Sequence, residues 1–209
     1  MNKTNKTAKA FTLAETLVTL MIIGVVAAIT IPTLKKTATE QEFVSGALKA
    51  YSAVTGATSE IKTKNGPVAL WVGSAAETMK LYQTELNCTG SIPNSYPIKY
   101  LSGNSYNNGN MFNSSTACLT ADGALYYIQS TDPTCKMNTN LISHGCIDIG
   151  VDVNGPKLPN TIGVDIFGFF VSKSDTLPEG SGPNSEYCVT GATGWSCSSQ
   201  IIKEKKISW

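Results

Sequence analysis

Nineteen consecutive residues, Thr16 to Leu34 (TLVTLMIIGVVAAITIPTL), carry no charge. As an α-helix this run spans about 28 Å, close to one bilayer hydrocarbon core. Polar residues Met1 to Ala10, holding Lys3, Lys6 and Lys9, precede it, and Lys35 and Lys36 close it. The basic leader stays on the cytoplasmic side by the positive-inside rule, which puts the C-terminal bulk outside. Three readings compete for the segment. A plain single-pass anchor is the first. A secretory signal peptide cut near Val26-Ala27-Ala28 is the second, although the apolar stretch exceeds the roughly 7–15 residues usual there. A lipoprotein signal is excluded, because the first cysteine is Cys88. The third reading must explain Glu15, a carboxylate at the edge of the apolar run. Such a group is costly in lipid and points to a function and a partner.

The segment Lys9-Ala10-Phe11-Thr12-Leu13-Ala14-Glu15, followed at once by the apolar run, resembles the prepilin cleavage and methylation motif of type IV pilins and type II secretion pseudopilins. In that family a membrane peptidase removes a short basic leader just before a Phe. The new α-amino group is then N-methylated. The resemblance implies cleavage between Ala10 and Phe11, methylation of Phe11, and a register role for Glu15. The family usually has Gly before the cut, where this chain has Ala10. Pro32 matches a helix-interior proline common in these proteins and implies a kink. Five residues of helix bring Glu15 within about one turn of the new N-terminus. With stacked, offset subunits, the carboxylate of one copy meets the α-ammonium of the next, and neither charge is left unpaired in a low-dielectric bundle.

Beyond the run, the spacing predicts a continuing helix over Thr37 to Lys64. Phe43, Ala47, Ala50, Tyr51, Val54 and Ile61 recur at helical intervals, and Asn65-Gly66-Pro67 is a stop signal. Gly46 and Gly56 weaken this helix. The chain therefore divides into a leader (1–10), a long helix (11–65, membrane-spanning over about 16–34) and a head (66–209). Within the head, Ser74-Ala75-Ala76-Glu77 reads as a capping box opening a helix to about Leu86. The stretch from Cys88 to Cys118, rich in Asn, Ser, Gly and Tyr, reads as loop with exposed tyrosines, either plain surface or an adhesive patch. Asp122-Gly123 marks a hairpin between Ala117–Ala121 and Ala124–Gln129. Cys146 to Val153 alternates as a half-buried strand, and Gly163 to Lys173 forms another. The expected fold is α+β and pilin-like: the long helix packs on an antiparallel sheet with disulfide-bounded loops.

All six cysteines, Cys88, Cys118, Cys135, Cys146, Cys188 and Cys197, lie beyond the apolar run, which reads as disulfides in an exported head. Fifteen pairings are open. Sequence proximity favours Cys135–Cys146 and Cys188–Cys197, leaving Cys88–Cys118. The stretch Tyr187 to Lys203 resembles the disulfide-bounded terminal loop of many pilins. Between the last two strands, Asp148, Asp152, Asn154, Asn160 and Asp165 offer hard oxygens. Calcium needs roughly six to eight of these. The spacing fails the EF-hand pattern, so a turn whose side chains satisfy their own backbone is favoured over a calcium site. No other cofactor is expected.

Composition narrows function further. The net charge is +1, falling to −2 without residues 1–10, and every basic residue is Lys. That is a poor footprint for nucleic acid. One histidine, His144, builds no multi-His metal site, and no nucleophile or phosphate-loop signature accompanies it. The expected protein is a structural subunit, not an enzyme. Its expected partners are a prepilin peptidase, inner-membrane lipid and other copies or related subunits in a helical fibre, either a type IV pilus or a type II secretion pseudopilus. A single-pass anchored extracytoplasmic binding or adhesin protein is the alternative, and a membrane-anchored enzyme is a further one.

Overall fold

The computed structural model describes residues 12–89, 96–106, 113, 115–139, 142–182 and 188–209. Its longest element is helix α1, Leu13–Asn65, 53 residues continuous through Pro32. Proline has no N–H to offer the carbonyl one turn back, at Ala28. The helix stops at Gly66, whose φ of +85° is the left-handed conformation that favours glycine. Gly66 N–H donates to the Lys62 carbonyl at 2.9 Å.

Two compact units divide the chain, one up to Thr39 and one from Glu40 to Trp209. The first is helix alone. Its large apolar side chains, from Leu13 to Ile31, are 54–81% exposed. That exposure is not sustainable in water for so contiguous a surface.

In the second unit α1 becomes one-sided. Val44, Ala47, Ala50, Val54, Ala57 and Ile61 are buried in one core cluster. Their spacing of three and four places them on one stripe. They face a six-stranded antiparallel sheet built from β1 (Ala117–Leu119), β2 (Leu125–Thr131), β3 (Met137–Thr139), β4 (Ile142–Asp152), β5 (Ile166–Ser172) and β6 (Thr176–Pro178). The order is β1-β2-β4-β5-β6, with β3 also paired to β4. Ile147, Ile149 and Val151 of β4 and Phe167, Phe169 and Val171 of β5 complete the cluster. Tyr51 stacks obliquely on Phe169 at 5.6 Å, and its hydroxyl donates to the Thr176 carbonyl at 3.0 Å. Helix α2, Ala75–Glu85, opens with the capping box expected at Ser74 and Glu77. Thr58 and Tyr82 hydroxyls, 2.7 Å apart, tie α2 to α1 in the interior.

The other face of the sheet is covered too, which the sequence reading did not anticipate. Ile98, Ala117, Leu125, Tyr127, Ile162 and Ile166 form a second buried cluster, with Tyr96, Tyr100, Tyr106 and Trp195 packed against it. The strand read as half-buried is thus buried on both sides. The tyrosines read as exposed are partly buried. Tyr106 meets Tyr100 edge-on at 5.2 Å and Trp195 at 6.3 Å. The terminal stretch is also not all loop, since Cys197–Glu204 forms helix α3.

Candidate functional site

Thr12 and Glu15 form a capping box at the start of α1. Glu15 Oε2 accepts from the Thr12 N–H at 2.8 Å and from its hydroxyl at 2.9 Å, while Glu15 N–H donates to Thr12 Oγ1 at 3.3 Å. The T-x-x-E pattern needed for this is visible in the sequence, as the S-x-x-E pattern is at Ser74. Inside the apolar run, the hydroxyls of Thr16, Thr19 and Thr30 donate to carbonyls one turn back at 2.9–3.1 Å. No polar donor of these threonines then needs water, as a segment in lipid requires. Ala10 and Phe11, the expected cleavage pair, and the leader before them lie outside the described residues.

The loop from Asp152 to Asp165 is organised by its own donors. Asp152 Oδ2 accepts from the Tyr96 hydroxyl at 2.6 Å and Oδ1 from the Asn154 N–H at 3.2 Å. Asp165 accepts from the Asn160 and Thr161 N–H groups at 2.8 and 2.6 Å. With its amide turned to suit these neighbours, Asn154 Nδ2 also donates to Asp152 Oδ1 at 2.8 Å and Asp165 Oδ2 at 3.2 Å. Burial, with the Asp165 charge adding to it, pushes Asp152 up to about 8, and burial pushes Asp165 to about 6. Asp148 is not part of this constellation. Its carboxyl is paired instead with that of Glu179. Among the described residues no group of three or more His, Cys, Asp or Glu side chains is arranged to hold a metal.

Three disulfides staple the head: Cys88–Cys118, Cys135–Cys146 and Cys188–Cys197. The first joins the end of α2 to β1. The second crosses from the turn after β2 to β4. The third closes the terminal loop onto α3. That loop is also pinned to the preceding segment, because Leu101 and Ser102 N–H groups donate to the Thr193 and Ala192 carbonyls at 3.2 and 3.0 Å. Gly194, at φ +97°, lies against the Ile162 carbonyl so closely that any Cβ would overlap it. His144 stands exposed on β4 at φ +69°.

These features define an α+β protein whose N-terminal helix is long and apolar enough to cross a membrane, joined to a disulfide-stapled head. Residues 5–31 match the prokaryotic N-terminal methylation motif, the signature of type IV pilins and pseudopilins. The match ends where the apolar run nears Pro32, and the family it describes is structural. Among curated proteins and among solved structures nothing matches the chain. The apolar helix and the motif together fit membrane anchoring.

Proposed function

We propose that the chain is the precursor of a pilin-like subunit that acts by assembling. A prepilin peptidase cuts between Ala10 and Phe11, and Phe11 receives the N-methyl group. Residues 16–34 hold the subunit in the inner membrane, with the head outside the cytoplasm, until it is packed by α1 into a type IV pilus or a type II secretion pseudopilus. The observation that carries this reading is the methylation motif over residues 5–31, which takes in most of an apolar run whose large side chains are exposed.

Physics supports the division of labour. A bare apolar helix must be buried in lipid or against other helices. A carboxylate at its start fixes register if a cation of the next copy meets it. On leaving the monomer state, Glu15 exchanges the Thr12 donors for the neighbouring α-ammonium. Repetition of that heterologous contact without closure yields a fibre. The head loops need no catalytic group in this scheme. The Asp152–Asp165 loop serves as a self-contained turn, its carboxylates already supplied with donors.

A Glu15→Ala variant tests the register role. It should lose its leader as the wild type does, and no fibres should form. Normal fibre formation by the processed variant would overturn that role.

A further inference from the structure

On the sheet face turned away from α1, two glycines sit opposite each other, Gly150 on β4 and Gly168 on β5. Glycine inside a strand marks close approach by another group. Here the Tyr127 phenol lies over Gly150 and the Glu179 carboxyl over Gly168, and a Cβ at either position would overlap them. Glu179 follows directly on β6, and its backbone is clamped on both sides. Its N–H donates to the Gly168 carbonyl at 2.9 Å, and its carbonyl accepts from the Ser199 N–H of α3 at 2.9 Å. Ser198 Oγ accepts from the Gly168 N–H at 2.9 Å. The Glu179 side chain, only 3% exposed, reaches across β5 and hydrogen-bonds the Asp148 carboxyl of β4. Glu179 Oε2 and Asp148 Oδ1 are both covered and have no hydrogen-bond partner.

We propose that Asp148 and Glu179 form a proton-holding latch, in which a proton shared between the two carboxyls fastens β6 and the start of α3 to the central strand β4, and loss of that proton frees them. Two carboxyls within hydrogen-bond reach, cut off from water, do not both ionise at neutral pH. Burial pushes Asp148 up to about 7. Burial, with the Asp148 charge next, pushes Glu179 well above the carboxylate range. Around the pair stand Asp152 from β4, the Tyr127 phenol and Gln129 from β2, the latter at the bulge next to Ser130, the register partner of Asp148, and the neutral Ser198 from α3. Tyr127 is itself pushed up by burial and by Asp152, Asp148 and Glu179. No lysine among the described residues helps hold either carboxyl ionised.

Protonated, Glu179 donates its O–H to the Asp148 carboxylate. When that proton leaves for solvent, two like charges face each other in a dry site. The route to water is to lift Glu179, and with it the segment that carries the Cys188–Cys197 staple. The latch is a property of the head and does not depend on how α1 assembles.

Hydrogen exchange read by mass spectrometry on the full chain in detergent micelles tests it, with rates corrected for the intrinsic pH dependence of exchange. Between pH 7 and 9, protection over Thr176–Gly180 and Cys197–Glu204 should fall about tenfold per pH unit, as release of one retained proton requires. Protection over β2 should hold. A Glu179→Gln variant, neutral at every pH, should keep the segment protected throughout. Should that variant fail to fold, the wild-type profile and Asp148→Asn give the same reading. Asp152→Asn serves as the control and should leave the local loss intact. Unchanged protection in these segments, a fall in step with β2, or an undiminished fall in Glu179→Gln would overturn the latch.

Discussion

Replacing Asp152 with Asn removes a carboxyl that the fold keeps where its charged form is costly. Asp152 is fully buried, and its folded-state proton affinity corresponds to about 8. An ordinary Asp in the unfolded chain sits at about 3.9. The folded state therefore holds a proton that the unfolded state releases. The associated stability is complete below about pH 4 and is lost as pH rises toward about 8. The full span corresponds to about 6 kcal/mol. We take about 2–3 kcal/mol, because even buried sites behave as if the effective dielectric were roughly 20. Asn keeps an oxygen for the Tyr96 hydroxyl, 2.6 Å from Asp152 Oδ2, and gives up the 3.2 Å bond that Oδ1 accepts from the Asn154 N–H, which trims the gain. At about 2–4 °C per kcal/mol for a head of this size, Asp152→Asn should melt roughly 5–10 °C above wild type at pH 8. The two should coincide near pH 4.5. Thermal melts of residues 40–209 in chelator, followed by circular dichroism from pH 4.5 to 8.5, give the comparison. A wild-type melting temperature flat or rising over that range, or an unchanged slope in the variant, would refute the reasoning.

Removing the Cys88–Cys118 staple by a double Ser substitution opens a loop of sequence separation 30 and should cost about 3–4 kcal/mol, read from denaturant melts of the head. The two glycines of α1 should respond in opposite directions. Gly56→Ala meets nothing within 4 Å and should stabilise by about 1 kcal/mol, whereas Gly46→Ala places its Cβ 2.8 Å from that of Val153 and should destabilise by about 1 kcal/mol despite the better helix former. Calcium titrated into the head in a calorimeter should release no heat and leave the melting temperature unmoved, because the Asp152 and Asp165 oxygens already have donors; measurable heat with stabilisation would replace the turn by a metal site.

Long-period features were legible in the sequence. The three-and-four spacing from Phe43 to Ile61 announced the buried stripe of α1. Ser74 and Glu77 announced α2, Asp122-Gly123 the β1–β2 turn, and the alternation after Cys146 the core of β4. What escaped was short or double-faced. Strands β3 and β6 have three residues each, too few to show alternation, and β6 ends in Pro178, a residue suited to a sheet edge. Helix α3 begins in Cys-Ser-Ser, whose composition reads as loop. Asp148, Gly150 and Asp152 look like a solvent face, yet Tyr127, Glu179 and the 96–106 segment cover it. The available signal was Gly150 and Gly168 inside otherwise continuous strands. At the N-terminus, the motif was legible because its chemistry is local. The part of Glu15 as a helix cap is legible as T-x-x-E, and the Thr12 contacts of the structure show it formed.

The proposed assembly through α1 requires a chain that begins at Phe11. Intact-mass spectrometry of the protein recovered from membranes of cells with an active prepilin peptidase measures that beginning directly. The expected species starts at Phe11, lacks residues 1–10 and carries one additional methyl group on its α-amine. Recovery of the chain with Met1 to Ala10 still attached, or cut instead near Ala28, would contradict it.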